Sequence, residues 1–265
     1  MRFLALAFLS LACILAALSQ PAEASKRIAL LIGNQGYKEA IGPLKNPHND
    51  IELVAKALVD VGFTLRPLLR DAKRHEILLA VNDFAEELRA AGADAVGFLY
   101  YSGHGVASGE RNYLIPVDVE QPSSRILGVQ GVTHAEILNT LQEVAPLAAH
   151  YLVLDACRNN LGGWRGGKGF VPEQRRSGVL IAFAAAPGTT ASDEGATAGP
   201  YATALAAELV KPSQNDLIMF HNVRVAVGPL DRGRHSQAGA HRFPGGSAAV
   251  ACDGRNRPFR QGTGE

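Results

Sequence analysis

The sequence has few cysteines, little excess charge and none of the common metal or nucleotide motifs. Three cysteines in 265 residues are too few for a scaffold built on disulfides. The 26 basic and 25 acidic side chains leave a net charge of +1, which argues against a dedicated nucleic-acid binder. Cys-x-x-Cys, His-x-x-x-His, Gly-x-Gly-x-x-Gly and phosphate-loop spacings do not occur, so the sequence predicts no metal site and no cofactor.

The composition nevertheless supports a folded domain. Hydrophobic residues make up 47% of the chain, which is enough for a sizeable core and excludes general disorder. The length allows one large domain or at most two small ones, and no internal repeat is present. Both ends of the chain have an unusual composition and are interpreted separately from this domain.

The N-terminus has the three parts of a secretory signal peptide. Arg2 is followed by an apolar run from Phe3 to Leu18 and then by Ala22-Glu23-Ala24, a small-x-small cleavage site. The run is shorter than the ~20 residues that span a bilayer comfortably. We therefore predict a signal peptide over residues 1–24 and export to the periplasm or the exterior. The alternative is an uncleaved membrane anchor.

From Gly228 onwards the sequence loses its periodic pattern. Residues 228–265 hold eight Gly and six Arg, and apolar residues such as Phe243 and Phe259 are isolated. Such a segment cannot bury enough apolar surface to offset its ordering entropy. It is interpreted either as a disordered tail or as out-of-frame translation of GC-rich DNA, and no function is assigned to it.

Between these ends, residues 26–227 alternate short apolar runs with amphipathic helical patterns. The apolar runs are typical of strands covered on both faces. They are Ile28–Ile32, Phe63–Leu69, Ala95–Tyr101, Tyr151–Leu154 and Val179–Ala185. Helices are predicted over Asn49–Val61, Arg74–Ala90, Thr133–Val144, Tyr201–Val210 and Asn215–Val227. The alternation predicts an α/β fold, a three-layer sandwich with a mostly parallel central sheet.

A histidine and a cysteine follow two of the predicted strands. The third strand runs into Ser102-Gly103-His104-Gly105 and the fourth into Asp155-Ala156-Cys157-Arg158, at the strand ends where ligand sites of such sheets collect. If the strands are neighbours, His104 and Cys157 face one cleft, the arrangement of a cysteine nucleophile with a histidine partner. The alternatives are a buried, inert cysteine and an unrelated histidine. Zinc binding by this pair would need further ligands.

These segments resemble the caspase and metacaspase superfamily of cysteine peptidases. Asp155-Ala156-Cys157-Arg158-Asn159 resembles the caspase motif Gln-Ala-Cys-[Arg/Gln/Gly]-Gly, and the histidine of that motif lies about 50 residues upstream, as His104 does. Tyr101-Ser102-Gly103-His104-Gly105 is similar to the histidine motif of the family. Residues 29–34 resemble its first strand and residues 44–50 the segment entering its first helix. The resemblance covers roughly residues 26–210.

The resemblance implies a caspase-like fold and hydrolysis of peptide bonds in proteins or peptides, without a cofactor. Carried over by motif, Cys157 is the nucleophile and His104 the general acid and base. The backbone N–H groups of Gly105 and Cys157 would form the oxyanion hole, where preorganised donors stabilise the charge that develops on the carbonyl oxygen.

The resemblance also gives an expectation for substrate choice. Caspases cleave after Asp and hold it with arginine, but the position resembling the early caspase arginine is Leu44. Metacaspases cleave after Arg or Lys in an acidic pocket, and Asp50 and Asp155 match its acidic positions by motif. Carboxylates form charge-assisted bonds with a guanidinium, so cleavage after basic residues is predicted. The alternative for Asp50 is an acid favoured by a helix N-terminus.

The chain departs from both branches of the superfamily. Metacaspases usually have His-Ser-Gly after the cysteine, where this sequence has Arg158-Asn159-Asn160, and caspases have Gln where Asp155 stands. The chain therefore resembles a bacterial secreted relative of both. Calcium activation, known in some metacaspases, is not carried over because its ligands have no match.

Two loops are expected near the strand ends. Leu161–Ser177 is rich in Gly, Lys and Arg, and members of the family often cut themselves in this place. The candidate sites are Lys168, Arg175 and Arg176; the alternative is a solvated loop. A second loop, Pro187–Pro200, carries Asp193 and Glu194 and could overhang the cleft.

Two functions remain open at this point. The first is a cysteine endopeptidase, favoured by the presence of both His104 and Cys157. The second is a non-catalytic caspase-like interaction or scaffold module, favoured by the loss of pattern at the C-terminus. A third interpretation, an acyltransferase or another thiol enzyme, lacks any cofactor motif.

Overall fold

The computed structural model describes residues 26–121, 123–157, 170–171, 173–184 and 197–232. For Cys157 and residues 228–232 it describes the backbone alone. Several predicted features lie outside the described residues. They are the signal peptide over residues 1–24, the tail beyond Arg232, Lys168 in the linker, and Asp193 and Glu194 in the second loop.

In the described part of the chain, a sheet of eight strands forms the centre of the domain. Its strands are β1 (Arg27–Gly33), β2 (Thr64–Leu65), β3 (Leu69–Arg70), β4 (Val96–Ser108), β5 (Arg111–Leu114), β6 (Val132–Thr133), β7 (Ala149–Cys157) and β8 (Val179–Phe183). β2 and β3 pair with β1, and the parallel order continues through β4 and β7 to β8. β5 pairs antiparallel with the end of β4, and β6 pairs with β5.

Helices cover both faces of this sheet. They are α1 (Pro47–Asp60), α2 (Arg74–Ala91), α3 (Ser124–Gln130), α4 (His134–Val144), α5 (Pro200–Leu209) and α6 (Asp216–Arg232). Because side chains alternate along a strand, Leu30 and Ile32 of β1 pack with α2 and α4, whereas Ala29 and Leu31 pack with α1, α5 and α6. The predicted three-layer α/β sandwich with a mostly parallel sheet is confirmed.

Some element boundaries differ from the sequence prediction. The predicted strand Phe63–Leu69 is two short strands, since Pro67 between them has no N–H to donate to β1. β5, α3 and β6 were not predicted, because their apolar runs are too short to show a period. The last helix continues to Arg232, so the first residues of the predicted tail are helical.

The difference that matters most for the site is the length of strand β4. Its apolar run predicts an end near Tyr101, but the strand continues to Ser108 because β5 supplies a new antiparallel partner beyond the end of β1. His104 therefore lies within a strand and not in the loop after it.

Among the described residues, no helix is long and apolar enough to span a bilayer.

Candidate active site

The register of two neighbouring strands brings the predicted catalytic residues together. β4 and β7 run parallel, and Ser102 pairs with Asp155, Gly103 with Ala156 and His104 with Cys157. Backbones of paired strands are about 4.8 Å apart, so His104 and Cys157 are neighbours at the carboxyl end of β7. Two sequence motifs that are 53 positions apart thus form one site.

His104 is buried, with 2% of its surface exposed, and its ring is fixed by a backbone carbonyl. Nε2 lies 2.8 Å from the carbonyl oxygen of Gly42. A carbonyl can only accept, so Nε2 carries the proton in this contact and Nδ1 is the basic nitrogen of the neutral ring. The protein thereby selects the tautomer that can take a proton at Nδ1.

Two tyrosine hydroxyls hold the backbone of His104. Its N–H donates to the hydroxyl oxygen of Tyr37 at 2.9 Å, and the hydroxyl of Tyr101 donates to its carbonyl oxygen at 2.9 Å. The two hydroxyls are 3.1 Å apart, and both reach the carbonyl oxygen of Ile115. The ring of Tyr37 also packs against the imidazole, with centroids 4.6 Å apart.

The glycines on either side of His104 are required by close packing. A Cβ at Gly103 would lie 2.6 Å from the hydroxyl oxygen of Tyr101, and one at Gly105 would lie 2.5 Å from Cζ of Phe170. Both distances are shorter than real Cβ contacts, so any side chain here would displace the groups around His104. Both glycines belong to the extended strand β4.

The peptide group of Gly105 faces the strand that carries Cys157. The N–H of Ile115 donates to the carbonyl oxygen of His104 at 3.0 Å, so the peptide groups of His104 face β5. Successive residues of a strand direct their peptide groups to opposite edges. The N–H of Gly105 therefore faces β7, on the side of Cys157.

Asp50 and Asp155 are both buried at the same end of the sheet, 3% and 5% exposed. The hydroxyl of Ser102 donates to Oδ2 of Asp50 at 2.8 Å, and the hydroxyl of Tyr100 donates to Oδ2 of Asp155 at 2.8 Å. Ser102 and Tyr100 are two residues apart in β4 and so lie on one face of the sheet. The strand thus brings the two predicted acids to one face, next to His104.

Asp50 has a second donor from a distant part of the chain. The N–H of Gly199, which precedes α5, donates to its Oδ1 at 2.6 Å. Asp50 lies in the first turn of α1, so one carboxylate connects α1, β4 and the start of α5. This geometry agrees with a structural role at a helix terminus as well as with a place in a pocket.

The charges of these acids affect the pKa values of two neighbouring tyrosines. Burial, together with the charges of Asp155 and Asp50, raises the pKa of the Tyr100 hydroxyl well above its ordinary value. Burial and the charge of Asp155 also raise the pKa of Tyr201. Both hydroxyls therefore stay protonated at physiological pH, and Tyr100 remains a donor to Asp155.

The position that resembles the early caspase arginine, Leu44, is apolar and partly buried. Leu44 lies two residues after Gly42, in the segment that contacts His104, and packs against a small apolar cluster that includes Tyr37. Within the described part of the chain, no group of three or more His, Cys, Asp or Glu side chains could hold a metal ion.

Sequence reasoning missed the roles of Tyr37, Gly42 and Gly199. Gly42 and Gly199 act through backbone atoms, which no residue pattern reveals. Tyr37 lies in a segment without periodicity, and an aromatic residue with a polar end was the one available signal there.

The fold and this site define an α/β domain with a histidine and a cysteine in register on adjacent parallel strands. A sequence model of the caspase domain matches residues 26–245. The chain belongs to the caspase domain family, a family of cysteine peptidases. The match extends beyond Gly228, where the tail was predicted to begin.

Two curated relatives are similar over part of this domain. They are mucosa-associated lymphoid tissue lymphoma translocation protein 1 of Homo sapiens and its homolog in Mus musculus. Each is 34% identical over 137 residues, which is 51% of this chain and 15% of the relative. The similarity therefore concerns a small part of each relative's length.

Proposed function

We propose that this protein is a cysteine endopeptidase that cleaves after Arg or Lys, with Cys157 as nucleophile and His104 as general base. The observation that carries the proposal is the register of β4 and β7, which pairs His104 with Cys157. The buried, tautomer-fixed imidazole gives this pair the chemistry that a thiol nucleophile requires.

The first half of the reaction forms an acyl-enzyme. Nδ1 of His104 takes the proton of the Cys157 thiol, and the thiolate sulfur attacks the scissile carbonyl carbon. The N–H groups of Gly105 and Cys157 stabilise the resulting oxyanion. The imidazolium, held at Nε2 by Gly42, then gives its proton to the leaving amine as the C–N bond breaks.

The second half releases the acid product. Nδ1 of His104 takes a proton from water, and the water oxygen attacks the thioester carbon. The C–S bond then breaks, and the thiolate recovers a proton through the imidazolium. Each proton is exchanged between water, the substrate and the dyad, so the cycle needs no further reactant.

The acid pair supports the preference for a basic residue. Asp50 accepts hydrogen bonds from the hydroxyl of Ser102 and the N–H of Gly199, and Asp155 accepts one from the hydroxyl of Tyr100, so both carboxylates lie at the end of the sheet that carries His104. A guanidinium or ammonium entering beside them would add charge-assisted hydrogen bonds inside a buried site, where electrostatic interactions are stronger than in water. Arg, with its planar fork, is expected to bind better than Lys.

A panel of fluorogenic peptides tests this function. We expect turnover of peptides ending in Arg, weaker turnover with Lys and none with Asp, with Cys157→Ala as the inactive control. Turnover of the Asp peptide alone would contradict the specificity. If a folded protein cleaves none of the three, the non-catalytic scaffold becomes the better interpretation.

Two candidate self-cleavage sites, Arg175 and Arg176, lie in the described end of the linker and differ in their contacts. The guanidinium of Arg176 donates to Oδ1 of Asn139 at 2.7 Å and to Oε1 of Gln142 at 2.9 Å, whereas Arg175 is exposed. Arg176 would have to break both bonds before entering an acidic pocket. We therefore propose Arg175 as the preferred site of self-cleavage.

Intact-mass measurement of purified variants tests the site. The wild type is expected to yield fragments that separate after Arg175, Arg175→Gln to stay intact, and Arg176→Gln to be cut as the wild type is. If the wild type and Cys157→Ala both remain as single uncut chains, self-processing is ruled out. A fragment ending at Lys168 would move the site there.

A further inference from the structure

One loop contacts His104 at three separate points. Residues 34–44 connect β1 to the segment entering α1, and we call them the histidine loop. From this loop, the hydroxyl of Tyr37 accepts a hydrogen bond from the backbone N–H of His104, and its ring packs against the imidazole. The carbonyl oxygen of Gly42 accepts a hydrogen bond from Nε2–H. The backbone, the ring face and the tautomer of His104 are therefore all set by one segment.

The histidine loop is itself fixed at its start. The buried Asn34 exchanges two side-chain hydrogen bonds with the backbone of Ala72, at 2.8 and 3.2 Å. The N–H groups of Gln35 and Gly36 both donate to Oδ1 of Asp71, at 2.9 and 2.8 Å. Tyr37 follows directly, so its hydroxyl is delivered to His104 by a constrained backbone.

The carboxylate that holds the loop is adapted to remain charged. Burial acts to raise the pKa of Asp71, but the two N–H donors and the neighbouring His48 hold it below its ordinary value. Nε2 of His48 lies 3.2 Å from Oδ1 of Asp71. The carboxylate that accepts the two N–H groups of the loop therefore stays ionised to a lower pH than an ordinary Asp.

We propose that Tyr37 is a positioning residue for His104, acting through the backbone and the ring face of the imidazole; this rests on the proposed cysteine peptidase function. The hydroxyl joins three groups at once: the N–H of His104, the hydroxyl of Tyr101 and the carbonyl oxygen of Ile115. A tyrosine whose purpose is to fill the core does not need its oxygen at the centre of such a junction.

Tyr37→Phe removes this oxygen and keeps the ring. We expect kcat on an Arg peptide to fall roughly tenfold, the effect of losing about one buried hydrogen bond, with KM within about twofold because Tyr37 contacts His104 and not the pocket acids. Tyr113→Phe is the matched control, a buried tyrosine of the same apolar cluster on β5. It should leave kcat near the wild-type value, and thermal unfolding of all variants reports any general loss of structure.

A second measurement does not depend on peptide turnover. The rate at which iodoacetamide alkylates Cys157 is measured as a function of pH by peptide mass spectrometry, and this pH profile reports the fraction of Cys157 present as thiolate. A nearby His104 is expected to raise that fraction. Cys252 in the same molecule serves as the internal reference. His104→Ala should move the Cys157 profile to higher pH, and Tyr37→Phe should move it part of the way while Tyr113→Phe does not.

The outcomes separate the two proposals. The positioning role is overturned if Tyr37→Phe leaves both kcat and the pH profile of Cys157 alkylation equal to the wild type. A lower melting temperature with these two readouts unchanged overturns it as well. An unchanged profile in His104→Ala overturns the dyad and the positioning role with it. A profile that depends on His104 and Tyr37 in a protein that cleaves no peptide supports the positioning role and contradicts the proposed function.

Discussion

Replacing Cys157 with alanine is expected to lower kcat/KM for an Arg peptide by at least about 10⁴-fold, and His104→Ala by a comparable factor. In the proposed mechanism the thiol forms the covalent intermediate and the imidazole moves both protons, so neither step would have a substitute once one partner is removed. The measurement is the rate of hydrolysis of a fluorogenic peptide by purified, folded variants, with circular dichroism to confirm the fold.

The double variant and a second cysteine provide the controls. Residues that act as a unit are not additive, so Cys157→Ala with His104→Ala should be no slower than either single variant. Cys252→Ala makes the same chemical change in the tail and should retain full activity. Substantial turnover by Cys157→Ala would show that the nucleophile lies elsewhere. The pairing of His104 with Cys157 would then no longer support the proposed function.

The sheet and the pairing of His104 with Cys157 could be predicted because the strands that carry them have a strong local pattern. Continuous apolar runs such as Ile28–Ile32 and Tyr151–Leu154 are typical of strands covered on both faces, and both became central strands of the sheet. His104 and Cys157 follow two such runs, so parallel pairing alone was enough to bring them to one edge. No long-range information beyond strand adjacency was required.

The support of His104 could not be predicted because it depends on contacts between distant segments. Gly42 contributes a carbonyl oxygen and Tyr37 a hydroxyl from a loop without periodicity. The extension of β4 to Ser108 was missed for a related reason. Gly103 and Gly105 favour a turn when taken locally, but here tertiary packing against Tyr101 and Phe170 leaves no room for a Cβ.

The two acids of the proposed pocket accept hydrogen bonds from different parts of the chain, although their motif positions assign them to the same acidic pocket. Asp50 uses both oxygens, accepting from Ser102 and from Gly199, so an amide in its place would lose one acceptor and loosen the start of α5. Asp155 accepts from Tyr100 through Oδ2, a bond that an asparagine oxygen can keep. Asp155→Asn therefore removes the charge of this acid and keeps an acceptor for the hydroxyl of Tyr100.

Asp155→Asn is expected to lower kcat/KM for an Arg peptide by about 10²-fold, within the range found when one partner of a buried, hydrogen-bonded charge pair is replaced. A citrulline peptide keeps the shape of arginine without its charge, so the wild type should cleave it poorly and the variant should cleave the two peptides at similar rates. The measurement is the double-mutant cycle over both enzymes and both peptides, with the coupling energy as its result.

Asp216→Asn is the matched control for the same substitution elsewhere in the fold. Asp216 also accepts from a tyrosine, at 3.0 Å from the hydroxyl of Tyr151, but Tyr151 lies near the amino end of β7 and not at its carboxyl end. Asp216→Asn should preserve the preference for Arg over citrulline. If Asp155→Asn instead slows both peptides by the same factor, Asp155 supports the site without reading the charge of the substrate, and the preference for basic residues must come from other groups.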